Sequence, residues 1–151
     1  MTQMTQEESV ALAATGPVVL VVEDEAPLRA VQKRILAEEG YRVVEAADGA
    51  EGIARASGDA VVDLLIADLH MPNMGGEEMV RQIRLTRPTL PVLYVTGRID
   101  RLMDVRPLDP AEAFLEKPFS PAGLQEAVSL LLKGTIGKRR APACAPLKGK
   151  A

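Results

Sequence analysis

The feature that most constrains this chain is an alternation of two hydrophobic periods. Short apolar runs rich in β-branched residues take turns with stretches whose apolar residues recur every three or four positions. The first run, VVLVV over 18–22, is apolar throughout. Such a run suits a strand buried on both faces, as in a parallel sheet. Pro27 follows, suited to the first turn of a helix, and Leu28, Val31, Ile35 and Leu36 keep helical spacing up to Gly40, a stop signal. The pattern then repeats: YRVVEA (41–46) reads as a strand, Asp48-Gly49 as a turn, and AEGIARA (50–56) as a short helix. LLIAD (64–68) is the third strand, followed by a helix over roughly 77–86, and PVLYVT (91–96) is the fourth. FLEK (114–117) is a short fifth strand, and Ser120-Pro121 opens a last helix with Ser as cap and Pro at its first position. Between strands four and five, Ile99, Leu102 and Met103 allow a turn or two of helix, which Pro107 and Pro110 cut short.

Strands alternating with helices predict an α/β domain, a parallel sheet with helices on both faces. The natural strand order is 2-1-3-4-5, which puts the ligand crevice outside the carboxyl ends of strands one and three. A chain of 151 residues holds about one such domain. The expected organisation is a leader over 1–16, the domain over 17–133 and a basic Ala/Pro/Lys-rich tail over 134–151.

Charge narrows the partners. Of 18 bases and 21 acids in the chain, six bases and no acid fall at or beyond Lys133, which leaves the body acidic. An acidic body argues against nucleic acid as the main partner, and the tail reads as a solubilising, disordered extension. No apolar run approaches the ~18 residues that cross a bilayer, and the first residues lack the basic start of a signal peptide. The expectation is a cytoplasmic protein. The single cysteine, Cys144, lies in a Pro/Ala stretch without metal-ligand spacing and reads as an inert tail thiol.

The strand ends carry the chemistry. Strand one ends in Glu23-Asp24, strand three in Asp68, strand four in Thr96-Gly97 and strand five in Lys117-Pro118. Each has an ordinary reading alone: acids favouring a helix N-terminus, turn residues, an exposed base. The ordinary readings leave unexplained why all four fall at the same end of the predicted sheet. Three carboxylates against one lysine leave excess negative charge, which a cation relieves. An all-oxygen donor set suits Mg²⁺, and the lone His70 with no placed Cys makes no zinc set. With the cation present, Asp68 can act as a nucleophile toward a phosphoryl group.

At this point the residues resemble the receiver domain of two-component response regulators, in particular the receivers of hybrid histidine kinases. VVLVVEDE (18–25), DLHMPNMGG (68–76), VTG (95–97) and FLEKPF (114–119) are similar to its four motifs in order, over about residues 17–133. The resemblance implies that Asp68 accepts the phosphoryl group. It implies that Asp24 binds Mg²⁺ directly, Glu23 mostly through water, and His70 by its backbone carbonyl. It assigns Thr96 and Lys117 to the phosphoryl oxygens, Phe114 with Thr96 to the switch, and a cis bond to Pro118. The implied partner is a histidine kinase or a histidine phosphotransfer protein. With no kinase or DNA-binding segment, a stand-alone receiver signalling through protein contacts to a downstream target is expected, and not an enzyme. Departures are a short, proline-broken helix before strand five, Phe114 where Tyr is commoner, and Gly75 where Asp is frequent.

Three rivals stand beside this reading. An aspartate-nucleophile phosphatase of the haloacid-dehalogenase type wants its nucleophile after strand one and a second Asp two residues on, where this chain has His70. A flavodoxin-like cofactor binder wants a phosphate loop where Glu23-Asp24 stand. A docking module that never meets phosphate leaves the assembled strand ends without a purpose.

Overall fold

The computed structural model describes residues 16–97 and 111–137, with side chains through Lys133. The segments expected to form the leader, the short helix before strand five and the basic tail lie largely or wholly outside the described residues.

Five strands form one sheet: β1 (Val18–Val22), β2 (Arg42–Ala46), β3 (Leu64–Asp68), β4 (Val92–Thr96) and β5 (Glu112–Glu116). All pairings are parallel and the order is β2-β1-β3-β4-β5. Among the described residues, four helices connect or follow them: α1 (Ala26–Glu38), α2 (Gly49–Arg55), α3 (Gly76–Ile83) and α4 (Pro121–Gly137). The expected fold class and strand order are those observed.

The continuous apolar runs bury both sheet faces. Side chains alternate along a strand, so Val19, Val21, Leu64, Ile66, Leu93 and Val95 pack with Leu36 of α1 and Leu124, Val128 and Leu131 of α4. The alternate residues Leu20, Val22, Leu65, Ala67, Val92 and Tyr94 pack with Met79, Val80 and Ile83 of α3. Fully burying a side chain such as Leu20 or Leu93 is worth about 1.5–3 kcal/mol.

Local chemistry sets the helix ends. Asp48 is more than a turn residue: it caps α2 by accepting a hydrogen bond from the Glu51 N–H at 2.8 Å. Ser120 caps α4, its Oγ accepting from the Gly123 N–H at 3.0 Å. Helix α3 ends at Ile83, and Leu85 and Thr86 continue it only as a tighter turn, their N–H groups bonding three residues back.

Strand five begins two residues earlier than its sequence suggests, at Glu112. A carboxylate is costly in a buried strand unless it is paired. Glu112 is 3% exposed, and Arg84 Nη1 meets its carboxylate at 2.8 Å, which offsets the desolvation.

Two glycines seat the loop after β3. A Cβ on Gly76 would fall 2.5 Å from the Asp68 carbonyl oxygen, and one on Gly75 3.0 Å from that of Leu69. The start of α3 therefore lies directly on the backbone that ends β3. Between them Asn73 takes a left-handed φ of 71°, which Asn tolerates better than most residues.

Candidate functional site at the carboxyl edge of the sheet

The sheet brings the predicted strand-end residues together. By the two-residue period, Glu23, Asp68 and Lys117 continue the rows of Val21, Ile66 and Leu115, all on the α1/α4 face. One carboxylate oxygen from each of Glu23, Asp24 and Asp68 lies within 4.8 Å of the others. Glu23 and Asp68 are buried, and Asp24 is half-buried. Lys117 Nζ stands between two of them, 3.4 Å from Glu23 Oε1 and 3.3 Å from Asp68 Oδ2.

Backbone and side-chain donors fix the carboxylates. The Glu25 N–H donates to Glu23 Oε2 at 3.2 Å, and the His70 N–H to Asp68 Oδ1 at 3.1 Å. The His70 side chain is exposed. Thr96 ends β4 fully buried, and its carbonyl accepts from the Lys117 N–H at 2.8 Å. The Lys117–Pro118 peptide bond is cis. Phe114 falls on the other face of the sheet, half-buried, its ring centroid 5.4 Å from that of its register partner Tyr94.

The charge is unbalanced. Burial pushes the Glu23 carboxyl up, nearby Asp68 pushes it further, and together they take it to about 7 against the opposing pull of the Glu25 N–H and Lys117. Burial works to lower the Lys117 ammonium, but Asp68 and Glu23 outweigh it and hold it above its ordinary value. Among the described residues, two buried carboxylates sharing one lysine, with a third alongside, make a pocket short of positive charge. The residues fit a hard divalent cation: three carboxylates, oxygen donors only, at the sheet edge.

Sequence reasoning missed two residues that hold this site. Arg29 Nη1 donates to the Glu23 carbonyl at 2.7 Å, and Gln32 Nε2 donates to Glu23 Oε1 at 3.5 Å. The available signal was position: Gln32 falls in the stripe of Leu28, Ile35 and Leu36, where a core residue is expected.

Such a fold and site define a doubly wound α/β domain with an acidic crevice outside strands one and three. The family profile described as "Response regulator receiver domain" matches residues 19–129, and the chain belongs to that family. It is 36% identical over 119 residues to the sensor kinase CckA of Brucella abortus (strain 2308), a match covering 76% of this chain and 12% of the kinase. It is 35% identical over 116 residues to the transcriptional regulatory protein ResD of Bacillus subtilis (strain 168), covering 76% of this chain and 48% of ResD. The chain thus spans at most about half the length of these relatives. Among solved structures it is similar to the response regulator TrrA of Thermotoga maritima in complex with Mg²⁺-BeF. That likeness has 30% identity and a TM-score of 0.66, over 77% of this chain and 99% of that one. A receiver is a signalling domain rather than a conventional enzyme. Among the described residues, no helix is long and apolar enough to cross a membrane.

Proposed function

We propose that this chain works as a stand-alone receiver, in which Asp68 accepts a phosphoryl group from a phosphohistidine of a histidine kinase or phosphotransfer protein. An Asp68 carboxylate oxygen bonds to phosphorus as the phosphorus–nitrogen bond breaks, and the departing imidazole keeps the electron pair and gains a proton. The observation that carries the reading is the environment of Asp68: a buried carboxylate with Lys117 Nζ at 3.3 Å on one oxygen and the His70 N–H at 3.1 Å on the other.

Glu23, Asp24, Asp68 and the backbone carbonyl of His70 would hold Mg²⁺. When bound, the ion supplies charge neutralisation for the phosphoryl oxygens. The Mg²⁺ of the TrrA complex supports this choice of ion. Lys117 and the Thr96 hydroxyl take the phosphoryl oxygens. Movement of Thr96 toward them opens space that Phe114 fills, which shifts the population toward a second surface. That surface is read by a downstream protein, in the cytoplasm and without contact to nucleic acid.

The test is incubation with acetyl phosphate and Mg²⁺, read by intact mass, beside Asp68→Asn and an EDTA control. The expected result is a Mg²⁺-dependent gain of one phosphoryl group that the variant lacks. A gain that persists in Asp68→Asn, or none where another receiver is modified, overturns the assignment. Steady release of phosphate from a monoester would point to a phosphatase instead.

A further inference from the structure

Helix α1 reaches Glu23 twice from one face. Arg29 holds the backbone, donating from Nη1 to the Glu23 carbonyl at 2.7 Å, and its Nε is tied to Glu45 Oε1 at 3.3 Å. One turn further on, Gln32 Nε2 donates to the Glu23 carboxylate. Gln32 is 1% exposed, and its Oε1 is buried with no hydrogen-bond partner.

A buried glutamine with an orphaned acceptor is a poor core residue. Leu or Met fills similar space and leaves no polar atom unsatisfied. Packing alone therefore does not account for the glutamine. Its orientation does carry information, because the amide presents its nitrogen to Glu23, and the reverse would set a carbonyl oxygen against a carboxylate. Glu23 Oε1 is shared by two donors from different elements, Gln32 on α1 and Lys117 beyond β5, while Oε2 is held by the Glu25 N–H. Without Gln32, Lys117 is the one remaining side-chain donor to that oxygen among the described residues.

We infer that Gln32 is a positioning residue for the acidic crevice: its amide holds the Glu23 carboxylate open toward Asp24 and Asp68, and so sets the affinity for a divalent cation. The inference rests on the reading of that crevice as a Mg²⁺ site. Partners that hold a metal ligand typically change metal affinity tenfold or more when removed. A purely structural side chain changes stability instead.

The experiment compares the full chain with Gln32→Leu and Gln32→Met. Mg²⁺ is titrated calorimetrically into each, and melting is followed without divalent ions. The expected result is a Kd for Mg²⁺ about tenfold higher in both variants, with melting temperatures no lower than that of the unmodified chain. Where one variant melts low, the other decides. A Kd within about twofold of the unmodified chain in a variant that melts normally overturns the inference and leaves the Mg²⁺ site standing. Depressed melting in both variants makes Gln32 an ordinary core residue and also overturns it. An unmodified chain that binds no Mg²⁺ removes the metal assignment itself, a separate result.

Discussion

Two buried glutamates sit at opposite ends of the sheet. Glu112 opens β5, and Glu23 directly follows β1. Both are almost inaccessible, at 3% and 1% exposure. Glu112 is met by the Arg84 guanidinium at 2.8 Å and by the Tyr94 hydroxyl at 3.4 Å. Glu23 shares its lysine with Asp68 and has Asp24 beside it. One end is a charge matched by a cation of its own, and the other a crowd of carboxylates with too little positive charge. The matched pair closes the fold, whereas the unmatched cluster keeps electrostatic free energy available to a ligand that brings positive charge.

The sharpest way to break this contrast is to remove a charge from each end and compare signs. Arg84→Met leaves Glu112 buried without its guanidinium. Breaking a buried pair in this way costs about 3–5 kcal/mol, and we expect a loss of that size in denaturant unfolding with Mg²⁺ affinity unchanged. A loss under ~1 kcal/mol, the usual worth of an exposed pair, would erase the distinction.

Glu23→Gln should act with the opposite sign. The folded-state pKa of Glu23 is raised from 4.5 to about 7. Stability from its protonated form is therefore fully present below pH 4.5 and is lost as pH rises through about 7. Without divalent ions the variant should gain up to about 3 kcal/mol over the unmodified chain at pH 8. The advantage should vanish by pH 4.5. Paired melting curves across this range give the answer, and a variant less stable at pH 8 would show that the cluster is balanced after all.

The smallest effect sharpens the matched end. Tyr94→Phe removes a hydroxyl at 3.4 Å from Glu112 while keeping the ring against Phe114. A loss of about 1 kcal/mol is expected, visible as a modest drop in denaturant midpoint. No change would leave Arg84 as the dominant partner of Glu112.

Much of the domain was legible without coordinates, for reasons that differ by element. The strands of a doubly wound sheet are buried on both faces, so their apolar runs stand out, and VVLVV and LLIAD coincide with β1 and β3. The helix starts announce themselves through Pro27, Ser120 and Pro121, because capping is local chemistry. Because parallel strands all point one way, residues at the ends of such runs gather at one edge of the sheet. Asp24, Asp68 and Lys117 could therefore be grouped before any distance was known.

Other residues could not be read that way, since their roles depend on partners distant in the chain. Glu112 looks like a residue before a strand, and its pairing with Val92 of β4 and its ion pair with Arg84, 28 positions away, make it the start of one. Gln32 looks like a flaw in an apolar stripe until the fold sets it against Glu23. Gly76 reads as loop punctuation, and only the packing of α3 on the Asp68 carbonyl shows why a side chain would not fit. The sequence by itself determined the order of elements, the parallel sheet and the identity of the clustered acids, because periodicity and capping are written locally. The tertiary structure alone decided which buried charges are matched and which are not, because that balance depends on distances between residues that no local pattern encodes.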